Sequence, residues 1–328
     1  MLLESLQFSL NVTLPTIFMI LLGIFLRRRR WIDDNFCNMA SKVVFNFALP
    51  ATLFLNVARS PSDYSGQINL ILSGAIGTLL IYLIAEWWAG KYIQTRGLRA
   101  IFTQGTFRSN AAILGLALAV NAYGSSAMGK ISVFVAVLVI MFNVLGVVTL
   151  LKSLSDKKMN LMNLTLSILK NPLILAVMSG IIVSEFELFP FIPTALSKTA
   201  DYLAHISLPL ALICTGASLN FKQLTKFSST ATVENEGSRV VFLSASVRLI
   251  IVPLLMLAIG KWGFHLDPIS LGILFLTTSS PVASAVYAMV RHYGGDATVT
   301  ANLIGITTIG SIFTSSIGLF LLRQIGWV

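Results

Sequence analysis

Long apolar runs separated by short polar stretches make up nearly the whole chain. Windows of about 19–20 residues, the length that crosses a bilayer as a helix, identify ten such runs. They fall at residues 10–26, 36–57, 67–90, 99–123, 130–151, 166–184, 196–218, 240–260, 268–291 and 297–322. The pattern predicts an all-α membrane protein with ten transmembrane helices.

Two of these runs are interrupted near the middle by polar residues. The fourth run carries Arg108, Ser109 and Asn110, and in the ninth run four hydroxyl residues precede Pro281. An Arg at membrane depth costs at least about 2.5–3.5 kcal/mol, so it usually faces a cavity and serves a function. Interrupted helices in matching positions of two chain halves are typical of a transporter binding site. We therefore predict that helices 4 and 9 are broken and cross each other.

An internal repeat relates the two halves of the chain. The second and seventh runs share an aliphatic stretch around a Pro, at residues 47–53 and 206–212, and the fourth and ninth both end in Tyr-Gly. The repeating unit is thus five runs, and because five is odd the halves must have opposite topology. This predicts two inverted repeats, residues 1–152 and 166–328, joined by a cytoplasmic linker at 153–165.

The composition supports a membrane protein and excludes a soluble one. Of 328 residues, 55% are hydrophobic and 11% are charged, with mean hydropathy +0.83, whereas soluble domains carry about 25% charged residues. The first run ends in four arginines at residues 27–30, the reverse of a cleavable signal peptide, so it should be retained. The net charge of +10 comes from basic residues that we interpret as orientation signals and as contacts to anionic lipid headgroups, not as a nucleic-acid-binding surface.

The basic residues also predict orientation in the inner or plasma membrane. Alternate loops on one side hold 15 of the 23 Lys and Arg residues, the opposite loops hold five, and three lie within runs. Positive loops face the cytoplasm, which leaves both termini extracytoplasmic. The longest loop, residues 219–240, is interpreted as a flexible cytoplasmic linker.

A broken helix exposes amides and a positive dipole end, which suit an anion. The Arg108 guanidinium matches a carboxylate bidentately, unless it pairs with an internal carboxylate or extends toward the cytoplasm. The ninth run is equally consistent with a Pro-kinked structural helix whose hydroxyls bond their own backbone. Asn56 and Thr215 occupy equivalent repeat positions and would line the opposite wall of the cavity. The predicted substrate-binding residues are Asn56, Arg108, Ser109, Asn110, Thr215, Ser279, Ser280 and Pro281.

Other chemistry finds little support in the sequence. The two cysteines and three histidines show no metal-ligand spacing, no ATP-binding motif is present, and Ser284 lacks a base partner for hydrolysis. We expect no enzyme activity, no bound cofactor and a transport process driven by a gradient, with H⁺ and Na⁺ both open as coupling ions. Arg248 and Glu86 lie in equivalent runs, where either an ion pair or proton coupling would account for them.

The sequence resembles the bacterial branch of the auxin efflux carrier family. The resemblance is carried by Asn110-x-x-Ile113-Leu114-Gly115-Leu116, by Pro281 followed by His292-Tyr293-Gly294-Gly295-Asp296-Ala297, and by the hydroxyl run at residues 307–316. It implies a fold similar to bile-acid sodium symporters, with spans 1, 2, 6 and 7 as a panel against a moving core. It also implies a homodimer and a small organic anion, such as malate or malonate, carried by an elevator-like displacement. A sodium-coupled organic-anion symporter of the bile-acid type is the alternative.

Overall fold

The computed structural model describes residues 2–59, 67–124, 127–154, 170–219 and 231–328, and these are helical apart from short connections. No strand occurs among these residues. The helices are α1 (Leu2–Arg28), α2 (Asp34–Ala58), α3 (Ile68–Tyr92), α4 (Arg96–Phe107), α5 (Ala111–Tyr123), α6 (Met128–Leu154), α7 (Pro172–Glu185), α8 (Thr194–Ser218), α9 (Ala231–Ser246, continued through π-helical and α-helical turns to Gly263), α10 (Pro268–Thr278), α11 (Ala285–His292) and α12 (Ala297–Gln324).

Helix length and composition agree with a multi-span membrane protein. Within the described ranges, seven helices are long and apolar enough to cross a bilayer, namely α1, α2, α3, α6, α8, α9 and α12. Three shorter apolar helices, α5, α7 and α10, accompany them. The predicted all-helical class is confirmed, whereas the count of ten crossings and the inverted repeat stay predictions.

Local sequence signals fix where several helices begin. The carboxylates of Asp33, Asp267 and Asp296 each accept a hydrogen bond from a backbone amide in the first turn of α2, α10 and α12. Pro172 and Pro268 stand at the first position of α7 and α10, where a missing amide costs nothing. The three aspartate caps lie outside the predicted apolar runs and mark where α2, α10 and α12 begin.

The helices form two packed groups. In the first, which we call the panel, α1 packs mainly against α8, and the second half of α2 packs against α7 and α8. The remaining helices form the core, in which α3, α4 and α6 contact one another and α9 packs against α4 and α12. The core meets the panel where α12 and α5 pack against α1 and where α6 packs against the second half of α2.

Within the panel, α1 and α8 contact each other at a glycine seam, which we define as Gly23 of α1 and Gly216 of α8. A Cβ atom at Gly23 would lie 2.1 Å from the Ile213 carbonyl oxygen, and one at Gly216 would lie 2.0 Å from the Ile20 carbonyl oxygen. The two backbones are therefore in direct contact, as small residues permit in lipid.

The predicted flexible linker before the eighth run is wrong over part of its length. Helix α9 already begins at Ala231, well before the predicted start at residue 240. The Glu236 carboxylate explains this, because it accepts hydrogen bonds from the Gln94 amide and the Thr95 hydroxyl, both at 2.6 Å. Most of the other predicted linker, residues 155–165, lies outside the described residues.

Candidate functional site

Two breaks in the core meet at one point, which we call the crossing. The first break, residues 108–110, separates α4 from α5, and the second, residues 279–284, separates α10 from α11. Ser109 and Val282 form an isolated antiparallel β-bridge. Its bonds run from the Asn110 amide to the Pro281 carbonyl at 2.7 Å and from the Ala283 amide to the Arg108 carbonyl at 3.2 Å. The broken backbones thus satisfy each other, as buried peptide groups must.

Close approach of α5 to α10 brings the breaks together. A Cβ atom at Gly115 would lie 2.9 Å from the Thr277 Cα and 3.4 Å from the Ser280 hydroxyl. Real Cβ atoms essentially never come that near a backbone atom. Only glycine at this position leaves room for the crossing.

The predicted hydroxyl residues of the second break are fully buried and engaged within the protein. The Ser280 hydroxyl donates to the Thr277 carbonyl at 2.8 Å, and the Ser279 hydroxyl lies 3.2 Å from that of Ser315 on α12. The Val282 amide donates to the Thr307 hydroxyl, also on α12, at 3.2 Å. The contacts to Ser315 and Thr307 hold the second break against α12, and Pro281 contributes its carbonyl to the crossing.

Arg108 is only 5% exposed and its side chain points away from the crossing, toward α6 and α11. The guanidinium donates to the Asn143 carbonyl oxygen at 2.9 Å and lies 2.8 Å from the Met289 sulfur and 3.4 Å from the Gln104 carbonyl oxygen. Gly146 makes room for it, because a Cβ there would lie 2.6 Å from Nη1. None of these partners is a carboxylate, so the buried charge is not neutralised by them.

Ser109 and Asn110 place polar side chains at the crossing without using them to hold it. Both residues are at most 5% exposed. Within the described part of the chain the Ser109 hydroxyl has no hydrogen-bond partner, and the Asn110 residue joins the second break through its main-chain amide. A buried hydroxyl left unpaired costs free energy, so this polar group is available to a ligand.

Arg248 is the functional feature that the sequence reasoning left open. It lies in a π-helical turn of α9, Val247–Ile251, and is 1% exposed. Its guanidinium donates to backbone carbonyls at the ends of α4 and α10 and to the Ser280 carbonyl in the second break. For Glu86, the other residue left open, the structure shows the ion-pair alternative, with Lys152 at 2.8 Å. An isolated Arg in the middle of an apolar run was the only signal in the sequence.

A cavity of about 1170 Å³ lies between the panel and the core. On the core side its lining includes Ile113 of α5 together with Ser284 and Ala285, where α11 begins. The panel side is formed by α1, α2 and α8 and includes the predicted residue Thr215. The cavity therefore reaches the edge of the crossing from the face that carries the most basic loops.

The mouth of this cavity is predominantly positive. Among the described residues, Arg27, Arg28 and Arg291 line it, against one acidic residue, Asp34, which pairs with Arg27 at 2.6 Å. The lining therefore carries more positive than negative formal charge. Such a field raises the local concentration of anions.

The structure separates the predicted wall residues Asn56 and Thr215. Asn56 donates to the Ser132 hydroxyl of α6 at 3.2 Å and is not part of the cavity lining. Thr215 lines the cavity while its hydroxyl donates to the Ala211 carbonyl of its own helix. Of the eight predicted residues, the crossing brings together Arg108, Ser109, Asn110, Ser279, Ser280 and Pro281.

Comparison with known proteins agrees with this architecture. The family described as "Membrane transport protein" matches residues 8–319. A Rhizobium meliloti (strain 1021) protein named "Putative malonate transporter" is 26% identical over 282 residues, which cover 84% of each chain. An "Uncharacterized transporter" of Methanothermobacter thermautotrophicus is 25% identical, covering 93% of this chain and 95% of its own. "Uncharacterized transporter YfdV" of Escherichia coli (strain K12) is 24% identical, covering 98% and 99%.

The family match spans nearly the whole chain, and these relatives align over most of their own lengths. The resemblance to the auxin efflux carriers is thereby confirmed, and the apolar helices agree with it. The chain belongs to the membrane transport protein family and is a multi-span membrane transporter rather than an enzyme.

Proposed function

We propose that this protein is a secondary carrier of a small organic anion, a carboxylate or dicarboxylate of about the size of malonate. The observation that carries the proposal is the cavity between panel and core, with its excess of arginine at the mouth. Its volume, about 1170 Å³, is ample, since pockets for small molecules measure about 300–1,000 Å³. The name of the Rhizobium meliloti relative supports a dicarboxylate.

The core side of the cavity offers groups that suit a carboxylate. Ser284 and Ala285 lie where α11 begins, so the positive dipole end of that helix is close to the lining. The Val286 and Tyr287 amides already donate to the Ala283 and Ser284 carbonyls, so the helix contributes mainly through its dipole. Ser109 and Asn110, at the adjoining crossing, provide a hydroxyl and an amide. The anion would bind here, at the junction of the cavity and the two breaks.

Buried positive charge in the core favours the same class of substrate. Neither Arg108 nor Arg248 has a carboxylate within ion-pair distance among the described residues. At low dielectric these charges act over longer distances than in water. An anion entering the cavity would therefore be attracted, and a cation repelled.

The movement we propose is a displacement of the core relative to the panel. The core is held together by the crossing and the panel by the glycine seam, so each can move as a unit. With the basic loops in the cytoplasm and both termini outside, the cavity opens inward. The carrier would then reside in the inner or plasma membrane and draw its energy from a gradient.

The test is uptake of radiolabelled malonate into proteoliposomes. Arg291→Gln removes a charge from the cavity mouth, and Arg29→Gln is the matched control, because Arg29 is exposed on the same face but does not line the cavity. We expect kcat/KM to fall about 5-fold for Arg291→Gln, since one charge near a protein surface contributes about 1 kcal/mol, and to stay unchanged for the control. Uptake of neutral solutes or cations instead of carboxylates would refute the proposal.

A further inference from the structure

The Arg248 guanidinium sits at the crossing with every N–H group engaged. Nε donates to the Ser280 carbonyl at 3.1 Å, and Nη2 donates to the same oxygen at 2.9 Å and to the Thr278 carbonyl. Nη1 donates to the carbonyls of Thr106 at 3.0 Å and Phe107 at 3.5 Å. A guanidinium has five N–H donors, and these bonds use all five. Arg248 therefore has no donor left for a substrate.

The acceptors are buried carbonyls at the C-terminal ends of two half-helices and in the second break. Thr106 and Phe107 are the last residues of α4, Thr278 is the last of α10, and Ser280 lies in the second break. Such carbonyls have no partner within their own helix and carry the negative end of the helix dipole. In carriers built from broken helices, half-helix C-termini and unwound carbonyls coordinate a coupling Na⁺.

We propose that Arg248 is a built-in cation that takes the place of a coupling Na⁺ at the crossing, so that carriage of the anion is independent of sodium. A metal ion there would need the same carbonyl oxygens and would lie beside a fixed positive charge. Among the described residues no cluster of acidic, His or Cys side chains offers another metal site. The transport consequence rests on the proposed function, whereas the role of Arg248 at the carbonyl ends does not.

The experiment measures thermal unfolding of the purified full-length protein without substrate, in NaCl, KCl and choline chloride of equal ionic strength. The variants are Arg248→Ala, which leaves the carbonyls of Thr106, Phe107, Thr278 and Ser280 without the guanidinium, and Arg248→Lys. The second variant keeps the positive charge but has fewer N–H donors. The matched control is Arg239→Ala, the same change at an exposed position of the same helix. A parallel measurement follows malonate uptake by the wild type with and without a Na⁺ gradient.

We expect the wild type and Arg239→Ala to melt at the same temperature in all three salts. Arg248→Ala should melt about 5–10 °C lower, because several buried carbonyls lose their partners, and should regain part of this loss in NaCl or with a few millimolar methylguanidinium. Arg248→Lys should fall in between and stay insensitive to Na⁺. This last variant and the wild type decide the question if Arg248→Ala does not fold.

Stabilisation of the wild type or of Arg248→Lys by Na⁺ over K⁺ would overturn the inference. So would Arg248→Ala melting like the control, or uptake by the wild type that requires Na⁺. If unfolding follows the expected pattern but no carboxylate is taken up, the proposed function fails and the role of Arg248 stands.

Discussion

The glycine seam gives the sharpest prediction about the panel. Substituting Gly216 by Ala would place a Cβ 2.0 Å from the Ile20 carbonyl oxygen and 2.8 Å from its carbon. Carbon and carbonyl oxygen normally approach to about 3.3 Å, so α1 and α8 must separate by about 1 Å. Neither obstacle is a side chain that could rotate away.

The cost can be estimated from these distances. Overpacking of a tightly packed site costs about 1–3 kcal/mol, and a rigid backbone obstacle places Gly216→Ala at the upper end. Replacing Gly by Ala inside a helix returns up to about 1 kcal/mol. The net loss is about 1–2 kcal/mol. For 328 residues the entropy of unfolding is about 0.7 kcal/mol/K, so the melting temperature falls by about 1.5–3 °C. The cavity wall formed by Ile24, Thr215 and Ala217 would shift with it, so uptake should fall as well.

The assay is thermal unfolding in detergent, with Gly90→Ala as the matched control. Gly90 lies in α3, and a Cβ there would meet nothing within 4 Å, so this variant should be as stable as the wild type or up to about 1 kcal/mol more stable. A double variant with Gly23→Ala tests the seam itself, since helices already separated accept the second Cβ at lower cost. Equal melting of Gly216→Ala and Gly90→Ala, or full additivity with Gly23→Ala, would refute the reasoning.

Three further predictions concern the site. Gly115→Ala should abolish uptake while the protein still reaches the membrane, because α5 can no longer approach Thr277; uptake near the wild-type rate would contradict the described crossing. Cys37, which lines the cavity and is partly exposed, should react with maleimide faster than buried Cys214, and a transported acid should slow that reaction; indifference to the acid would place the substrate elsewhere. Asn110→Ala should lose the stabilisation that a carboxylate gives the wild type in a thermal-shift assay, and retained stabilisation would remove Asn110 from the site.

The sequence indicated the breaks because polar residues in an apolar run must be satisfied. Arg108 and the hydroxyl stretch before Pro281 correctly marked both positions, and the structure joins them by main-chain hydrogen bonds. What each side chain touches could not be predicted in the same way. The direction of Arg108 depends on the space left by Gly146, a neighbour from another helix that no local pattern reveals.

The hydrogen-bond partners of Arg248 could not be predicted from the sequence either. For Arg248 the sequence left open a structural ion pair or a part in proton coupling, both of which require a titrating partner. The actual partners are backbone carbonyls, which every residue possesses and which therefore leave no mark in the sequence. Residues 231–238 were similarly polar enough to look like a linker, although Glu236 fastens their helix to the α3–α4 connection.

The hydrogen bonds that Arg248 makes to carbonyls of α4 and α10 also bear on how the protein folds during synthesis. Thr106 precedes Arg248 by 142 residues, so at about 5–20 residues per second the ribosome needs about 7–30 s to synthesise the intervening segment. During that interval the end of α4 lacks Arg248, and the first break lacks the main-chain partner that the second break provides. We expect the unpaired carbonyls of the nascent first half to be hydrogen-bonded by water in the translocon until Arg248 has been synthesised. Truncated chains that end before residue 248 should accordingly be recognised as unfinished and degraded.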